Sequence, residues 1–273
     1  GFYVADDSQS NYPFTVNSMP SSLNMDYLST DNIGETIQYA KWVNNKVSLL
    51  LKNEGYQYVY ISGGMDINNM SKFTDMNLVY QSKQIFKKSD FLDSLVHTTA
   101  LSPFLVYLEG YFGDNDRAAR LYAFDELSTM HDIVEPKFIY ARIISPHPPF
   151  IFDAEGNAPP RKIFQGTGNI WQSLGNETGY PDQITFLNSK IEWLIDGILA
   201  NAKIPPIIII QGDHGIWWQT AERYNILNAY YFPNQDYSQL YESISPVNSF
   251  RVVMNQYFGG DYGLLEDKIA GAK

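Results

Sequence analysis

Apolar positions along the chain recur with two periods, and their alternation spells β-α-β-α. Ile33, Ile37, Ala40, Val43, Val47, Leu50 and Leu51 return at helical spacing, and Gly55 is placed to end that helix. Tyr56 to Ser62 reads as a strand closed by Gly63-Gly64, Arg117 to Met130 as a helix, and Lys137 to Ile144 as a second strand. Ile184, Leu187, Ile191, Leu194, Ile195, Ile198 and Leu199 form an amphipathic helix that feeds Ile207-Ile208-Ile209-Ile210. Four β-branched residues in a row predict a strand buried on both faces, the pattern of a parallel sheet. The expected strands 137–144 and 207–210 should therefore share one sheet and run the same way. Phe2-Tyr3-Val4 reads as a short strand fragment, residues 65–115 as short helices and loops, and Phe152 to Tyr180, rich in Gly, Pro and Asn, as a long loop. No repeat, low-complexity tract or linker interrupts the 273 residues, which predicts a single domain over 1–273.

Composition narrows the partners. Thirty acidic against nineteen basic residues give a formal charge of −11. Nucleic-acid binding depends on cationic neutralisation of phosphates, so nucleic acid is excluded as a partner. An anionic substrate would need a local cation, either a metal or placed Arg and His side chains. Cysteine is absent, which removes disulfides, thiolate metal sites and thiol nucleophiles. No apolar run has the roughly 20 residues of a membrane helix.

The candidate chemistry sits where strands end. Gln211-Gly212-Asp213-His214-Gly215 follows the isoleucine run, and ligands of open α/β sheets bind beyond the carboxyl ends of strands. A carboxylate oxygen beside an imidazole nitrogen suits a divalent cation. The plainer alternative is a turn in which Asp213 caps a helix. Of the four histidines, His147 follows the 137–144 strand between prolines, whereas His97 and His131 fall beside expected helices and read as surface or packing residues. Any nucleophile must be a hydroxyl. Ser10 to Met25 is dense in hydroxyls, which by composition alone are helix caps.

Asn11-Tyr12-Pro13-x-Thr15, Ser21-Ser22-Leu23-Asn24-Met25, Ser145-Pro146-His147-Pro148-Pro149-Phe150 and Gln211-Gly212-Asp213-His214-Gly215 occur in that order. With Ile226 to Tyr231 and Ser245 to Arg251, they resemble the sulfatase-like domain of the alkaline phosphatase superfamily, in its bacterial membrane-anchored form. The resemblance implies an α/β three-layer sandwich around a mostly parallel sheet. It also implies a metal-dependent hydrolase or transferase acting on phosphate or sulfate esters. Thr15 matches the nucleophile of the threonine-using branch, which includes lipoteichoic-acid synthases and phosphoethanolamine transferases. Asp213 and His214 match two metal ligands, with the Thr15 hydroxyl beside them, and His147 matches a histidine that contacts the transferred group or leaving oxygen. The implied cofactor is a divalent ion (Mn, Mg, Ca or Zn). The implied substrate is an anionic ester, lipid- or glycan-linked, met outside the cytoplasm by a protein anchored to the membrane through segments outside this chain.

Two departures qualify the likeness. The family places a further acidic metal ligand on a strand upstream of the nucleophile. Asp6 and Asp7 are too close to Thr15 for that and read as a solvated turn. The expectation is therefore an N-terminally shortened domain that binds metal weakly and turns over little substrate, with an exposed strand edge. The Cys/Ser-x-Pro-x-Arg context of sulfatases proper is also absent, which weighs against sulfate. A non-catalytic binding or scaffold domain that has lost a ligand is the alternative. A cofactorless serine hydrolase is a distant third, since no Gly-x-Ser-x-Gly elbow occurs.

Overall fold

A computed structural model describes residues 1–28, 35–64, 72–81, 102–159, 178–216 and 222–270, with the backbone alone for 35–37 and 102–114. In chain order the elements are β1 (Tyr3–Val4), α1 (Thr15–Asn24), α2 (Glu35–Val43), α3 (Lys46–Asn53), β2 (Gln57–Gly63), β3 (Met76–Val79), α4 (Ser102–Thr129), β4 (Lys137–Ile143), α5 (Tyr180–Asn201), β5 (Ile208–Gln211), β6 (Asn228–Tyr231) and α6 (Pro246–Tyr257). The helix expected over 33–51 is two helices. Asn45 breaks it by turning extended and accepting the Ser48 N–H on its side chain, which caps α3. Gly55, at φ +85°, ends α3 as expected.

The described strands form two sheets. β3-β2-β4 is parallel throughout, and β1-β6-β5 is antiparallel. This corrects the expectation that 207–210 would join 137–144 in one parallel sheet. β5 pairs instead with β6, Ile208 opposite Tyr231 and Gln211 opposite Asn228. Nor is β5 buried on both faces: all four of its residues are half-buried, because among the described residues only one of its edges has a partner.

β2 is flanked by strands on both sides and alternates its side chains between two cores. Tyr58 and Tyr60 pack with Leu23 of α1, Trp42 and Val43 of α2, and Phe250 of α6. Val59 and Ile61 pack with Ala123 of α4 and with Ile139, Ala141 and Ile143 of β4. Helices thus cover both faces of the parallel sheet. α5 joins the second face through Leu187 and Leu194 against Phe124. The antiparallel sheet rests on α6, where Val252 and Val253 meet Tyr230 and Ile209. α6 therefore touches both sheets and sets one against the other. Among the described residues no helix is long and apolar enough to cross a membrane.

Candidate functional site

Residues 10–28 contain the hydroxyl cluster that the sequence left ambiguous, and four of its serines have structural duties. Ser10 and Ser18 donate to the Tyr12 carbonyl, Ser21 to that of Asp26, and Ser22 to that of Pro246. They tie the loop to α1 and α1 to α6. Thr15 differs. It is the first residue of α1, preceded by an N-cap, Phe14, that offers no side-chain acceptor, and its hydroxyl donates to the Asp213 carboxylate. Thr15 thus stands among the helix's uncompensated N–H groups, at the positive end of its dipole.

Asp213 and His214 occupy the turn after β5. Gly212 sends its N–H to the Leu227 carbonyl and Gly215 sends its own to Arg223, which laces the turn to the segment entering β6. Gly215 is required there: a β-carbon would overlap the carbonyl oxygen of Glu222. His214 donates from Nδ1 to the Gly215 carbonyl at 2.8 Å, which leaves the Nε2 lone pair free. That nitrogen lies 3.7 Å from Asp213 Oδ2, and the His214 and Asp213 side chains are 15% and 33% exposed. The expected convergence of Thr15, Asp213 and His214 is therefore present, at the end of a strand that pairs antiparallel.

Two further ties fix this geometry. Gln211, the last residue of β5, donates to Ser22 of α1 and accepts from Ser249 of α6. Buried Asn11, four residues before Thr15, donates to Ser245 Oγ, to Tyr27 Oη and to the Lys268 carbonyl, and accepts the Val247 N–H. Ser245 in turn donates to Asp267, and Tyr27 to the Glu266 carbonyl. Tyr241 also donates to Asp267; burial first, and that carboxylate second, hold its phenol well above the ordinary range. The segment over 263–270, without regular structure, is in this way fastened across α1 and α6.

The remaining described histidines make local contacts. His147 is exposed on the turn after β4, its Nδ1 facing the Pro148 carbonyl at 2.5 Å. No hydrogen bond or ion pair joins it to Thr15, Asp213 or His214. His131 contacts the Ser128 carbonyl and Asp132. His97 lies outside the described residues. Asp6 and Asp7 are exposed on a turn, as expected.

Asp213 oxygen, His214 Nε2 and the Thr15 hydroxyl form a donor set that fits a divalent cation in chemistry. It is sparse: among the described residues no group of three His, Cys, Asp or Glu side chains gathers to hold one. Sequence reasoning missed Arg223, whose guanidinium lies over the Phe14 ring with 4.6 Å from Cζ to the ring centroid. A lone arginine outside any periodic pattern carries no signal by which it could have been found.

No protein-family model matches the chain, and no curated protein matches its sequence. Solved structures do. The zinc complex of the C-terminal periplasmic domain of EcEptC from Escherichia coli superposes with a TM-score of 0.59 at 14% identity, over 93% of this chain and 71% of that one. The corresponding domain of phosphoethanolamine transferase EptC from Campylobacter jejuni gives 0.55 at 11%, over 97% and 80%. BT1596, a 2-O GAG sulfatase, gives 0.58 at 9%, over 98% and 65%. The chain shares the α/β fold of these domains.

Proposed function

We propose that the chain is a sulfatase-like hydrolase or transferase that cleaves phosphate or sulfate esters with Thr15 as nucleophile. The observation that carries this reading is the Thr15–Asp213 hydrogen bond. In a segment crowded with hydroxyls, the one at the start of α1 meets a carboxylate, and the four serines described above meet backbone carbonyls.

The chemistry follows from those groups. Thr15 Oγ attacks the phosphorus or sulfur while its proton passes to the Asp213 carboxylate, and the bond to the leaving oxygen breaks. The N–H groups that open α1 face the negative charge of the transferred group. His147, exposed beyond β4, is assigned the proton delivered to the leaving oxygen. The resulting threonyl ester is released by water in hydrolysis or by a second alcohol in transfer. Asp213, His214 and the Thr15 hydroxyl would hold a divalent ion (Mn, Mg, Ca or Zn), which when bound lowers the pKa of the hydroxyl and neutralises charge.

The names of the structural neighbours support ester chemistry at phosphate or sulfate and a setting outside the cytoplasm. The threonine, and the absent Cys/Ser-x-Pro-x-Arg pattern, favour phosphate. We read the substrate as an anionic ester on a lipid or glycan, and the two observed sheets as parts of one three-layer sandwich. The sparse donor set favours a second reading, a binding domain without catalysis.

Turnover of bis(p-nitrophenyl) phosphate and p-nitrophenyl sulfate with manganese or zinc separates the two. The enzyme reading expects turnover that Thr15→Ala lowers by at least about 10³-fold, and an intact-mass increment on Thr15. Equal rates in the wild type and Thr15→Ala would remove the nucleophile.

A further inference from the structure

Arg223 is anchored to the candidate site twice. Its backbone carbonyl receives the Gly215 N–H, one residue beyond His214. Its guanidinium lies over the ring of Phe14, the residue before Thr15, and that ring remains 54% exposed. Among the described residues no carboxylate comes within ion-pair distance of the guanidinium, and its Nε–H is buried without an acceptor. In a chain with thirty acidic residues against nineteen basic ones, a guanidinium left without a carboxylate calls for an explanation. The same is true of the site it adjoins, where Asp213 would repel an incoming anion.

A guanidinium presents its donors as a rigid planar fork that matches two oxygens of one tetrahedral oxyanion. An aromatic face beneath it fixes the plane of the fork without competing for its donors. We propose that Arg223, seated over Phe14, binds two non-bridging oxygens of the group that Thr15 attacks. This rests on the reading of Thr15 as nucleophile and extends it. The substrate class becomes esters whose central phosphate or sulfate keeps at least two free oxygens: phosphodiesters, with two, and phosphate or sulfate monoesters, with three. Lysine at this position would supply the charge but not the fork.

Calorimetric titration of the metal-free full chain with inorganic phosphate, and separately with inorganic sulfate, tests this without relying on turnover. Arg223→Ala should weaken binding of the preferred anion at least tenfold. Arg223→Lys should fall between, and Phe14→Leu should weaken it a few-fold. Thermal unfolding midpoints report whether each variant is folded, and the tighter of the two anions names the ester. Wild-type affinity in a folded Arg223→Ala variant overturns the proposal, as does a wild-type chain that binds neither anion. Arg223-dependent binding in a chain that turns over neither ester sustains the anion site and removes the nucleophile reading. Turnover that Arg223→Ala leaves unchanged removes Arg223 and spares Thr15.

Discussion

β2 and β5 place similar demands on the solvent and meet different fates. β5 is three isoleucines and a glutamine, yet each of its residues is half-buried. β2 carries two tyrosines and a serine, yet Tyr58 to Ile61 are all fully buried. The difference is neighbours: β2 has a strand on either side and helices on both faces, whereas among the described residues β5 has one paired edge. Apolar content gives a strand the capacity to be buried, and its position in the sheet decides whether that happens. The two strands consequently serve different ends. β2 is where the fold is stabilised, and β5 is where polar ties aim the Asp213-His214 turn.

The sharpest test of that division compares alanine at equivalent residues. Ile61→Ala removes a fully buried side chain from β2 and should cost about 2–5 kcal/mol in urea unfolding. Ile209→Ala on half-buried β5 should cost about 1–2 kcal/mol. Equal losses would mean that β5 is shielded as well as β2.

Gln211→Ala attacks the other half of the comparison. It leaves the buried Ser249 hydroxyl, which donates to Gln211 and pairs with Tyr230, without its acceptor. The expected loss is about 1–3 kcal/mol, accompanied by a change in the NMR signals of Thr15 that Ile61→Ala does not produce. Silence at Thr15 would show that these ties do not position the turn.

The smallest effect belongs to the β2 side. Asp75 accepts from Lys52 and from the Tyr58 N–H, and these bonds, the lysine first, hold its carboxyl below the usual range. A folded-state pKa below the unfolded value gives stability that is complete above about pH 4 and lost as pH falls through the folded value. The pair is well exposed and screened, so the amount is a few tenths of a kcal/mol. Asp75→Asn should flatten the stability profile below pH 4 by that amount and leave the profile above pH 5 parallel to the wild type.

Much of this was legible in the chain. β2, β4 and α5 follow their periodicity to within a few residues, because each packs apolar side chains at that spacing against a neighbouring element. The pairing of β5 was not legible. Its isoleucines state only that it is a strand, and the direction of its partner is decided by β6, sixteen residues further on, four residues long and rich in tyrosine. The Asp213-His214 turn could be read because glycines bracket it, and the structure gives the reason at Gly215, where no side chain fits. Thr15 could be singled out from its neighbouring hydroxyls only through resemblance, since its distinction is a partner 198 residues away. Arg223 and Phe14 likewise acquire meaning only by meeting in space.

Asn11 has a consequence for how this protein would age. Its amide nitrogen feeds two relays, one through the Ser245 hydroxyl to Asp267 and one through the Tyr27 hydroxyl to the Glu266 carbonyl. Both relays have a fixed sense, because each begins at an NH2 and ends at an oxygen that can only accept. Deamidation exchanges that NH2 for oxygen, a change of one mass unit with almost no change in shape. The new carboxylate would face the same hydroxyls that already spend their protons on Asp267 and Glu266, and the Lys268 carbonyl beside them. Spontaneous hydrolysis at a single buried amide would therefore unfasten the strap that holds the beginning of α1, without removing an atom from the Asp213-His214 turn itself.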